Sequence, residues 1–95
     1  MSIPGGWDYV KMSACALPED VASAFSQTLG RLMGAEYVPV LYCGKQVVEG
    51  TNYLLICQQT LVTKPRTIHM VKVILYKPLE NETDKECSIV SIIEI

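Results

Sequence analysis

The strongest constraint on this chain is a glycine-containing bend set between two strand-length runs. Glu36-Tyr37-Val38-Pro39-Val40-Leu41-Tyr42 is rich in β-branched and aromatic residues, and Tyr53-Leu54-Leu55-Ile56-Cys57 is a short apolar run. Between them, Gln46-Val47-Val48-Glu49-Gly50-Thr51-Asn52-Tyr53 reads as the tip of a β-hairpin. We expect one strand from Glu36 to Gln46 and its antiparallel neighbour from Thr51 to Thr60. Pro39 has no N–H to give a ladder, which predicts a bulge or an unpaired position in the first of them.

Upstream lies a helix signal, from Pro18 to Met33. Pro18 suits the first turn, Glu19 and Asp20 oppose the positive end of the helix dipole, and Gly34 is a stop. Val21, Ala24, Phe25, Leu29, Leu32 and Met33 form one apolar stripe, read as core. Gly30 costs helix stability, about 1 kcal/mol relative to alanine, and predicts close packing against a sheet. Downstream, Lys64-Pro65-Arg66-Thr67 is a turn and Ile68 to Tyr76 a strand. Its face of His69, Val71, Val73 and Leu75 is the one expected to meet the helix. A polar turn from Pro78 to Asp84 precedes a last strand, Cys87 to Ile95, and part of the run Trp7 to Met12 is a candidate for a first, edge strand. One helix followed by consecutive antiparallel strands is an α+β domain with a four- to five-stranded sheet.

The chain has 95 residues, enough for a single domain over 1–95, and 49% of them are hydrophobic, which favours a packed core over disorder. A net charge of −2 with Lys64 and Arg66 as the nearest thing to a basic cluster gives no footprint for nucleic acid. No run approaches the roughly 20 apolar residues of a membrane span. Met1-Ser2-Ile3-Pro4-Gly5-Gly6 has neither a basic nor an apolar signal region before Trp7 and Asp8, so we expect a cytoplasmic protein, or one released without a cleaved signal. The four cysteines, Cys15, Cys43, Cys57 and Cys87, form no Cys-x-x-Cys pair and are read as reduced.

Little here suits catalysis or a cofactor. His69 is the one histidine; Cys57 or Cys87 on a neighbouring strand is the thiol that would pair with it, and nothing supplies an orienting third group. The acidic turn of Glu80, Glu82, Asp84 and Glu86 lacks the glycine of a calcium loop. There is no zinc spacing and no phosphate loop. We expect no metal, no cofactor and no enzymatic activity.

Gln46-Val47-Val48-x-Gly50 followed by Thr51-Asn52-Tyr53 resembles the first inhibitory hairpin of the cystatins, most closely the intracellular branch called stefins. Pro4-Gly5-Gly6 is similar to their N-terminal trunk, and Leu17-Pro18-Glu19-Asp20-Val21 to the start of their helix. Secreted cystatins carry their paired cysteines in the C-terminal half, where this chain has only Cys57 and Cys87, which favours the stefin branch. The resemblance implies a cystatin-like fold, one helix packed across a curved antiparallel sheet, and reversible, occlusive inhibition of papain-like cysteine proteases of the cathepsin type. In that reading Gly5 and Gly6 line the cleft. Val47 and Val48 supply apolar contact, Gln46 positions the loop, and Gly50 permits the turn and close approach; Leu79 serves on a second hairpin.

Two departures from the family pattern stand out. Glu49 occupies a position where small residues are usual, and Glu80 stands where a proline follows the leucine, the proline having moved to Pro78. They favour an alternative, a non-inhibitory binding or scaffold protein that uses the same loop edge. A non-glycine residue strained in the Val48-Glu49-Gly50 bend would further predict domain-swapped dimers beside the monomer.

Overall fold

The computed structural model describes residues 7–63, 65–82 and 85–95. Helix α1 (Glu19–Gln27) leads through a 3-10 turn (Leu29–Arg31) to four strands: β1 (Ala35–Val48), β2 (Gly50–Leu61), β3 (Thr67–Lys77) and β4 (Ser88–Glu94). The strands pair antiparallel in chain order, so β2 and β3 are interior and β1 and β4 are edges. The architecture is α+β, with one helix packed against an open four-stranded sheet.

The four strands expected after the helix are present, with each boundary within two residues of its expected place. The helix is not the length its pattern predicts. It ends at Gln27, because the Thr28 hydroxyl donates to the Ala24 carbonyl at 2.7 Å and Thr28 N–H turns back to the Phe25 carbonyl at 3.2 Å. A β-branched residue whose hydroxyl offers local bonds competes with the helical ladder. Consequently the stripe is core only in part: Val21, Ala24 and Leu29 are buried, whereas Met33 is 96% exposed. Gly30 sits outside α1, and a Cβ there would meet only Phe25 O at 3.7 Å and Ser26 Cβ at 4.0 Å, so it marks no close approach to the sheet.

The core is the layer between helix and sheet. Tyr53, Leu55 and Cys57 of β2 and Val71, Val73 and Leu75 of β3 face Val21, Ala24 and Leu29, all nearly or fully buried. Burying a Val or Leu side chain stabilises by about 1.5 to 3 kcal/mol, so this alternation holds the register. On β1 the pairing slips between Pro39 and Leu41 and again between Tyr42 and Gly44, leaving Val40 and Cys43 as extra residues. The first slip falls at the expected proline.

A fifth strand is not formed among the described residues. The segment before the helix runs as irregular backbone, and its polar groups bond to a side chain instead of a ladder. Met12 N–H donates to Gln58 Oε1 at 3.0 Å, and Gln58 Nε2 donates to the Val10 carbonyl at 2.7 Å. Farther on, Cys15 N–H donates to the Pro39 carbonyl at 2.8 Å.

Candidate functional site

The tip of the β1–β2 hairpin is tight. Val48 pairs with Gly50, which leaves Glu49 alone at the apex. Gly50 has φ +106°, in the region that L side chains rarely adopt. It is also buried against β3: a Cβ built there would lie 2.5 Å from Lys77 O, 2.6 Å from Tyr76 Oη and 2.7 Å from Tyr76 Cε1. The Tyr76 hydroxyl donates to the Glu49 carbonyl. On the flank, Asn52 Nδ2 donates to Gln46 Oε1 at 3.1 Å, across a directly opposed pair. Backbone pairing, one phenol and one amide pair thus fix the tip.

These contacts give residues of the tip roles within the fold itself. Gly50 makes its close approach to the protein's own β3, so its missing side chain is a requirement of the fold. The left-handed conformation also falls on Gly50, and no described non-glycine residue has positive φ. The strain that would drive hairpin opening and strand swapping is therefore absent from Val48 and Glu49. Gln46 accepts a bond from Asn52 across the hairpin.

What the tip offers to solvent is apolar with one charge. Val47 is 74% exposed, Val48 46%, and Glu49 is exposed beside them. Thr51 pairs with Lys77, so the end of β3 and the connection that follows lie at the same end of the sheet as the tip. In that connection Leu79 is 43% exposed, its carbonyl accepts from Glu82 N–H at 2.9 Å, and Glu80 is exposed. Gln46, Val47, Val48, Glu49, Gly50 and Leu79 therefore lie at the same end of the sheet. Gly5 and Gly6 lie outside the described residues. The segment that follows them is held at Gln58, eight residues along β2 from Gly50. At about 3.3 Å per residue that is about 26 Å from the tip.

Three residues along β2 from Gly50, Tyr53 is buried and its hydroxyl donates to Asp20 Oδ2 at 2.9 Å, fastening the first turn of α1 to β2. Burial, then that bond, pushes the Tyr53 phenol up to about 12, while the bond holds the Asp20 carboxyl below its usual value. The Tyr42 ring meets Tyr53 edge-on, with centroids 6.4 Å apart. Neither this anchor nor the Tyr76 support is visible in the sequence, because both join residues far apart along the chain.

His69 is not set beside a reactive thiol. Its Nδ1 lies 3.1 Å from Glu94 Oε1, and its cross-strand partner on β2 is Gln59. Cys57 is fully buried, which pushes its thiol up to about 12, and burial also raises Cys87. Both shifts oppose thiolate formation, the reverse of what a nucleophile needs. Among the described residues no group of three or more His, Cys, Asp and Glu could hold a metal, and no helix is long and apolar enough to cross a membrane.

Comparisons with protein families, curated proteins and solved structures find no match for this chain.

Proposed function

We propose that this chain is a cystatin-like, stefin-type inhibitor that blocks papain-like cysteine proteases by filling the substrate cleft with its hairpin edge. The observation that carries the reading is the exposure of Val47 and Val48 on a tip immobilised from behind by Tyr76 and Gly50. A rigid apolar tip loses little entropy on docking and buries surface at once. It needs no reactive group, and Leu79 on the neighbouring connection extends the same edge. Residence in the cytoplasm belongs to this reading and is supported by four cysteines that are all unpaired.

The test is hydrolysis of a fluorogenic peptide by papain and by a cathepsin at increasing concentrations of the protein, with Val48→Asp as the comparison. The exposed position tolerates the change, so a folded variant is expected to lose at least about tenfold in inhibition, as a charge is forced into an apolar contact. No inhibition by the folded wild-type protein rejects the reading. The alternative, a binding or scaffold protein using the same edge, is favoured by the two exposed carboxylates there, Glu49 and Glu80. It predicts salt-sensitive capture of a basic partner without inhibition.

A further inference from the structure

We propose that Glu49 makes the tip selective for enzymes that present a lysine or arginine on the cleft wall facing it. This rests on the protease reading above and names the kind of protease within it.

The argument starts from where the carboxylate stands. Glu49 is the single apical residue of the hairpin, with Val48 beside it and Leu79 on the adjacent connection. Any surface that buries Val47 and Val48 also strips water from Glu49. Its backbone cannot retreat, because Tyr76 holds the Glu49 carbonyl and Gly50 is wedged against Lys77 O. An ionised carboxylate taken out of water is costly unless it gains a counter-charge or donors.

Within the described residues the chain supplies neither. The salt bridges are His69–Glu94 and Lys85–Glu82. Lys77, opposite Thr51 on β3, is the nearest cation in the sheet register and forms neither of these salt bridges. Lys45 stands four residues back along β1, opposite Tyr53. Glu80, exposed on the neighbouring connection, adds a second negative charge to the edge. The compensating cation must come from the partner. A cleft with a basic wall converts the desolvation cost into a charge-assisted hydrogen bond, and a neutral or acidic wall leaves it unrelieved.

The experiment measures inhibition constants for the wild type, Glu49→Gln and Glu49→Lys against two papain-type proteases, one with a basic and one with an acidic cleft wall, at low and high salt. Wild type is expected to prefer the basic enzyme, with inhibition weakening as salt rises. Glu49→Gln is expected to lose about tenfold or more on the basic enzyme only and to flatten the salt dependence. Glu49→Lys should reverse the preference. If wild type inhibits and Glu49→Gln matches it on both enzymes at both salts, the selectivity proposal falls and the protease reading stands. If the folded wild type inhibits neither enzyme, both fall.

Discussion

Gly50 lies against Tyr76 so closely that any Cβ at position 50 would sit 2.6 Å from the phenol oxygen. A side chain there must also adopt φ +106° and clear Lys77 O. Gly50→Val is therefore expected to destabilise the fold by about 2 to 4 kcal/mol, combining backbone strain with overpacking. Urea unfolding measures this directly. A Gly50→Val protein as stable as wild type would mean that β3 does not pack against the tip. In the inhibitor reading, a loss of inhibition in that variant would report on folding first, which makes Val48 the better probe of contact.

The Tyr53–Asp20 bond predicts a pH signature at both extremes. The folded carboxyl of Asp20 lies below its usual 3.8, so its contribution is present above that value and is lost as pH falls through the folded pKa. Tyr53 is raised from 10.0 to about 12, so its contribution is full below 10.0 and is lost as pH rises through the folded value. Tyr53→Phe is expected to cost about 1 kcal/mol near neutrality. The difference in stability between the two proteins should shrink at low pH and again at high pH. A difference that stays constant across the range would exclude the bond.

Gln58 restrains the segment between Trp7 and Cys15 through both atoms of its amide. Five residues of extended chain, the interval from Val10 back to Gly5, reach at most about 18 Å, short of the tip. In the inhibitor reading, a trunk that joins the hairpin in one cleft must first leave Gln58. Gln58→Leu is expected to lose about 1 kcal/mol of stability and amide protection at Met12, while inhibition tightens a few-fold. Unchanged inhibition with Met12 released would remove the trunk from the mechanism.

The thiols should separate by reactivity. Cys43 is exposed on β1 beside a register slip, whereas Cys57 is buried with its pKa pushed up to about 12. Under native conditions an alkylating reagent is expected to modify Cys43 readily and Cys57 only through opening of the core. Peptide mapping by mass spectrometry reads the order. Rapid labelling of Cys57 would contradict the packing between α1 and the sheet.

The sheet was legible in the sequence because alternation is local: Val71, Val73 and Leu75 declare their shared face within five residues. Pro39 likewise announced its irregularity through a missing N–H. The helix is shorter than its pattern, since an apolar stripe does not reveal that the Thr28 hydroxyl competes for Ala24 O. At the tip, the motif does not reveal what stands behind the exposed Val47 and Val48. Tyr76 comes from the next strand, 27 residues on from Glu49, and a glutamine inside β2 looks like any strand residue until Val10 and Met12 are seen on it. Contacts of long sequence separation were the part that pattern alone did not carry.

Pro39 and the two slips of β1 also bear on how the molecule behaves in a crowd of its own kind. A fourteen-residue strand at the rim of a sheet is a natural seed for fibril growth, because a neighbouring chain can zip onto its free backbone groups. This rim offers no long uninterrupted template. Pro39 has no proton to donate, its carbonyl is already taken by Cys15, and Val40 and Cys43 break the spacing that an incoming strand would have to match.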